Sequence, residues 1–135
     1  MTAAEVAETL AREYPKTVVL NDGAHLVLRA SGPEAGTIVV AADDDGTRAG
    51  TARLGWATDP VDLALTLEPA YRDRRLGTWM LLDGVHLAAA LGAASVVVDA
   101  PATAEAFRAA LRRLDFVERD PGRFTKTLHH GWTDF

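Results

Sequence analysis

Three arginines crowd the start of a helix in the segment Leu65-Thr-Leu-Glu-Pro-Ala-Tyr-Arg-Asp-Arg-Arg-Leu-Gly77. An apolar run stops at Pro69, a basic turn follows, and helix-forming sequence begins at once. Unsatisfied backbone N–H groups and the positive end of the helix dipole make such a junction a place for phosphate. Arg72, Arg74 and Arg75 oppose that dipole, so their clustering points to an anionic ligand rather than to helix stability. The segment reads as the binding site of a phosphate-bearing cofactor.

Other groups carry less chemistry. Asp43-Asp44-Asp45 resembles part of a calcium loop but lacks the closing Glu and the spacing, so it reads as a solvated turn. His129-His130 has no third ligand in view and reads as tail, and His25 and His86 read as surface or satisfied residues. No metal site is expected. Arg108, Arg112 and Arg113 form a solvated helix face from which one side chain could reach a phosphate. Trp56, Trp79 and Phe107 read as core or cofactor-edge packing. A nucleotide P-loop needs Gly-Lys-Ser/Thr, which is absent. A dinucleotide fold places its glycine-rich turn after the first strand, whereas here the turn follows several strands.

The elements that must position this junction follow from pattern. Thr2-Ala-Ala-Glu5 fits a capping box, and Val6, Leu10 and Tyr14 continue at helical spacing until Pro15, predicting a helix over about 3–13. Strands are expected at 17–20 and 25–29 around Asn21-Asp22-Gly23, with 31–36 a loop. A second hairpin, 37–42 and 48–56, turns through Asp43-Asp44-Asp45-Gly46. Residues 61–67 form the next strand. The longest helix is expected over 74–91, with Leu76, Met80, Leu87 and Leu91 as its apolar stripe and Gly92 as its stop. A buried strand at 95–99, a helix at 102–114 with Ala106, Ala110 and Leu114 on one face, and a hairpin of 116–119 with 123–128 close the chain. The order predicts an α+β or mixed α/β domain on one sheet.

A chain of 135 residues is expected to form one domain, 1–135. Its formal charge of −5 argues against a broad nucleic-acid surface. With no cysteine, disulfides and thiolate zinc sites are excluded. No apolar run approaches the ~18 residues of a membrane span, and no signal peptide is apparent. A soluble, cytoplasmic protein is expected, without nucleic-acid or membrane partners.

From about Gly50 to Phe116 the chain resembles the GCN5-related N-acetyltransferases. Their hallmark is Arg/Gln-x-x-Gly-x-Gly/Ala at the start of the long helix, often preceded by Pro-x-Tyr. The corresponding residues are Arg72-Asp-Arg-Arg75-Leu-Gly77 after Pro69-Ala-Tyr71. Helix, buried strand, helix and a terminal Leu-Gly-Phe normally follow, the last matched by Leu114-Asp115-Phe116. The resemblance implies a mostly antiparallel central sheet with one parallel pair, flanked by helices, and acetyl-CoA as cofactor. It implies that Leu65, Thr66 and Leu67 pair with the pantetheine arm in a gap between splayed parallel strands. It implies that Asp73, Arg74, Arg75, Leu76, Gly77 and Thr78 hold the pyrophosphate, helped by the charges of Arg72 and Arg74. Many members carry a Glu as general base near the place of Asp62. In that role Asp62 would need its reference pKa of about 3.9 raised by burial. A strand N–H near Leu65 would stabilise the oxyanion.

The chain also departs from the family pattern. Arg75 replaces the first motif glycine, Leu111 stands where many members place a thiolate-protonating Tyr, and Ala104 replaces a common cofactor-contacting Asn. Asp115 replaces the glycine of Gly-Phe. The two helices that usually follow the family's first strand, and wall the acceptor site, are missing: only 31–36 joins Arg29 to Thr37. That wall must be open, or built by the first helix, by the tail His129-His130-Gly-Trp132-Thr-Asp-Phe135, or by a second subunit in a homodimer. The resemblance implies transfer of an acetyl group from acetyl-CoA to an amine, a protein lysine or a small molecule. The alternative is a non-catalytic CoA-binding, regulatory or interaction module of the same fold.

Overall fold

The computed structural model describes residues 2–72 and 74–128. Helix α1, Ala3–Glu13, starts as the capping box requires: Glu5 N–H donates to the Thr2 hydroxyl and Thr2 N–H to the Glu5 carboxylate, both at 3.2 Å. Strands β1 (Lys16–Val19), β2 (His25–Glu34), β3 (Thr37–Asp44), β4 (Thr47–Gly55) and β5 (Val61–Leu67) form a continuous antiparallel meander. A 3-10 turn, Pro69–Tyr71, leads to helix α2, Leu76–Ala90. Strand β6 (Ser95–Asp99) lies parallel to β5, helix α3 spans Glu105–Arg113, and β7 (Val117–Asp120) and β8 (Arg123–Thr127) complete one eight-stranded sheet in the order β1-β2-β3-β4-β5-β6-β8-β7. The α+β expectation, a mostly antiparallel sheet with one parallel pair, is what the chain adopts.

Strand alternation sorts the two faces of the sheet. Leu26, Leu28, Ile38, Val40, Leu54, Val61, Leu63, Val96, Val98 and Phe124 point to one face, and each is 2% exposed or less. The helices cover that face. Gly84 brings α2 onto Leu63, where a Cβ would lie 2.9 Å from a leucine methyl. The Tyr14 hydroxyl donates to Asp83 at 2.5 Å and Lys16 pairs with Asp83 at 2.7 Å, tying α1 and the start of β1 to α2. Arg108 and Arg112 of α3 lie over the Phe124 ring, 5.2 and 5.6 Å from its centre. Arg29, Arg53, Asp62, Asp99 and Arg123 project from the opposite, helix-free face and are exposed.

Several expected boundaries shift. Residues 31–36 are not a loop: β2 runs to Glu34 and turns back at Ala35-Gly36. Gly32 and Pro33 sit in a bulge between Ser31 and Glu34, where Gly32 takes φ 112. Helix α2 begins at Leu76 rather than Arg74, because Arg75 is left-handed (φ 67, ψ 8) and cannot continue a right-handed helix. Helix α3 begins at Glu105 rather than Ala102, since Ala104 N–H closes a turn onto the Pro101 carbonyl. Trp79 is not core: it is 41% exposed. The tail 129–135, with His129 and His130, lies outside the described residues.

Candidate functional site

The parallel pair β5–β6 holds over only two positions, Val61↔Val96 and Asp62↔Val97, and the strands part beyond them. Glu68 N–H donates to the Ala49 carbonyl at 2.9 Å. That bond sets the phase of β5: Asp62, Ala64, Thr66 and Glu68 turn their backbone groups to β4, and Leu65 and Leu67 turn theirs into the gap. An edge of unpaired strand backbone is thereby offered where β6 has moved away.

A cleft of about 690 Å³ opens at this gap. Leu65 and Leu67 form its floor, and Arg72, Arg75, Gly77 and Thr78 form one wall. Thr103, Ala104, Glu105, Ala106, Phe107, Ala110 and Arg113 of the α3 segment form the other. Among the described residues, Arg72, Arg75 and Arg113 have no ion-pair partner, so three uncompensated guanidinium groups face one carboxylate, Glu105. Arg113 was readable in sequence only as one of three arginines on a helix. Its two neighbours are committed elsewhere: Arg108 grips both Glu118 oxygens at 3.0 and 2.9 Å, and Arg112 lies 3.7 Å from the same carboxylate.

The expected site residues divide accordingly. Leu65, Leu67, Arg72, Arg75, Gly77 and Thr78 meet at the cleft. Thr66 does not: its side chain is on the helix-free face and its backbone pairs with β4. Leu76 is fully buried in the core. Arg74 turns away to Asp22, with Nε at 2.8 Å and a terminal nitrogen at 2.7 Å from one carboxylate oxygen. Asp73 lies outside the described residues.

Asp22 titrates below the ordinary carboxylate range, because the Ala24 N–H and then Arg74 favour its charged form. The Arg74 guanidinium lies 4.9 Å from the centre of the Tyr71 ring, and the Tyr71 hydroxyl donates to Asp44 at 2.9 Å. That bond is the leading cause of a raised Tyr71 pKa. Asp43 pairs with Arg48 at 2.6 Å, and Asp45-Gly46, with φ 47 and 86, makes the tight turn. The acidic triplet is thus a structured turn, and among the described residues no group of side chains is arranged to hold a metal ion.

Asp62 is the last β5 residue to pair with β6 and projects from the helix-free face, with its side chain 65% exposed. Arg123 lies 3.9 Å from it and 3.6 Å from Asp99. Leu111 is fully buried in the core, so its place holds a packing residue rather than one facing the cleft.

The arrangement of strands and helices in this chain recurs in solved structures. Over 86% of this chain and 100% of the other, it superposes on the GNAT domain of PAT from S. lividans, with a TM-score of 0.72 and 15% identity. The chain has the fold of the GCN5-related N-acetyltransferases. A cAMP-binding acyltransferase from Mycobacterium smegmatis matches with a TM-score of 0.69 and 16% identity over 98% of this chain; the chain spans 52% of that protein's length. An N-acetyltransferase from Thermoplasma acidophilum in complex with coenzyme A matches 69% of this chain and 62% of its own, with a TM-score of 0.59 and 18% identity. No protein-family model matches the sequence, and no curated protein does.

Strands β2 and β3 are joined directly by the tight turn at Ala35-Gly36. Helix α1 packs beside α2 on the helix-covered face. Among the described residues no helix is long and apolar enough to cross a membrane.

Proposed function

We propose that the chain binds acetyl-CoA in the cleft between β5, α2 and α3 and transfers the acetyl group to an amine. The observation that carries this reading is the short β5–β6 pairing, which frees the Leu65 and Leu67 backbone beside a basic loop. The residues fit such a ligand. Leu65 and Leu67 offer strand hydrogen bonds to its amide-bearing arm, and Arg72, Arg75 and the amides of Gly77 and Thr78 suit its phosphates. Phe107 and Arg113 border the remainder. The bound ligand supplies an activated thioester. The chain holds it, excludes water along the leucine floor, and places Asp62 at the fork to accept the amine proton, directly or through water.

The Asp62 side chain is exposed on the helix-free face, which suits a lysine on a protein surface better than an enclosed small amine. A dimer partner or the tail would narrow that choice. A second reading, a CoA-binding module without turnover, draws on two observations: Asp62 is exposed, and Arg75 occupies the cleft wall where a glycine is usual in this fold. Calorimetry with acetyl-CoA, followed by an acetylation assay on lysine peptides and small amines, separates these readings. Binding with turnover supports the enzyme, and binding without turnover supports the module. No heat at millimolar ligand removes both.

A further inference from the structure

We propose that Tyr71, Asp44, Arg74 and Asp22 are positioning residues that fix the basic loop in its phosphate-binding form. This rests on the acyl-CoA reading above. Two ties hold the segment between β5 and α2, and they run to two different hairpin turns. The Tyr71 hydroxyl reaches back to Asp44 in the β3–β4 turn at 2.9 Å. Arg74 reaches Asp22 in the β1–β2 turn at 2.7 Å, and its guanidinium stacks over the Tyr71 ring. Arg72, between the two ties, and Arg75, just after them, line the cleft.

Neither hairpin depends on these bonds for its own shape. The β3–β4 turn is made by Asp45-Gly46, with both φ values positive. In the β1–β2 turn, Asp22 uses its other oxygen to accept from Ala24 N–H at 3.1 Å. Tyr71 is buried through its ring, a requirement that Phe would meet equally. The polar bonds therefore act on the loop. A loop bearing unpaired cations loses conformational entropy when a polyphosphate orders it, and ties made in advance remove that cost. Asp22 also neutralises Arg74, which leaves Arg72 and Arg75 as the loop's cations facing the ligand.

The test compares acetyl-CoA with S-acetylpantetheine, which lacks every phosphate. Affinities are measured by calorimetry or ligand-observed NMR on wild type, Tyr71→Phe, Asp44→Ala, the double variant and Asp22→Asn. The last keeps the Ala24 bond but drops the charge facing Arg74, and it lies on an exposed turn, so the test survives if Tyr71→Phe fails to fold. Each single variant is expected to lose about fivefold in acetyl-CoA affinity. S-acetylpantetheine affinity should stay unchanged, and the double variant should be no worse than Tyr71→Phe alone. Equal losses for both donors, or unchanged acetyl-CoA affinity throughout, overturn the proposal and leave the functional reading standing. Wild type that binds neither donor overturns both.

Discussion

Asp62 and Val97 form the last pair between β5 and β6, and beyond them the two strands diverge. Asp62 faces away from the helices, while Leu65 and Leu67, beyond Leu63 on the opposite face, floor the cleft. The carboxylate and the cleft therefore lie on opposite sides of one gap in the sheet. A ligand threaded into the gap from the helix side would present its reacting end to an acceptor arriving from the side of Asp62.

That arrangement predicts a separation of effects for Asp62→Ala. Turnover should fall by about a hundredfold, the usual scale for loss of a general base. Acetyl-CoA affinity should stay within about twofold of wild type, since the residue does not line the cleft. Steady-state kinetics paired with calorimetry measure the two quantities. Unchanged turnover would remove Asp62 from the chemistry and leave solvent as the proton acceptor.

Gly77 tests the place of the ligand. It lies on the cleft wall, and a Cβ there would meet a Leu67 methyl at 3.3 Å. Gly77→Trp should extend its ring across the opening between that leucine and α3. Acetyl-CoA binding should vanish, while thermal unfolding should shift little, because Gly77 is only half-buried and its added side chain has the open cleft to occupy. Retained binding would place the ligand elsewhere.

The strands and helices nearest the cleft were legible because their signals are local. Val61–Leu67 and Ser95–Asp99 match the expected strands, Thr2 and Glu5 form the expected capping box, and Leu76, Met80, Leu87 and Leu91 bury as one stripe. Where local signals misled, tertiary pairing had outweighed them. Residues 31–36 read as a loop, yet pairing with β3 carries the strand through Gly32-Pro33 as a bulge. Arg75 reads as helix, yet the chain must turn sharply between Tyr71 and Leu76 and takes a left-handed residue there. Six cleft-lining positions were read from one contiguous segment. Arg113, and the diversion of Arg74 to Asp22 across 52 residues, depend on contacts that spacing does not encode.

Tyr14 predicts an alkaline signature of stability. Burial, followed by the hydrogen bond to Asp83, pushes its phenol well above the ordinary value of 10.0. The folded state then keeps a proton that the unfolded chain releases, so this contribution is intact below pH 10 and is lost as the pH rises further. The slope is about 1.4 kcal/mol per pH unit while only the unfolded phenol is ionised. Urea unfolding at several pH values between 8 and 11.5 should show a steeper alkaline decline in wild type than in Tyr14→Phe. Parallel curves would mean that Tyr14 ionises alike in both states. Asp83→Ala should destabilise at all these pH values, because Tyr14 and Lys16 both lose their partner.

Arg75 sets stability against binding in one substitution. Its φ of 67 costs an L-residue about 1 kcal/mol that glycine does not incur. Glycine also gains freedom in the unfolded chain, but at a positive φ the steric relief outweighs that loss. Arg75→Gly should therefore raise the urea midpoint without changing the slope of the transition. If the guanidinium serves the ligand's phosphates, the same variant should weaken acetyl-CoA binding about threefold to tenfold and make it less sensitive to salt. Tighter binding would instead mean that the side chain obstructs the cleft.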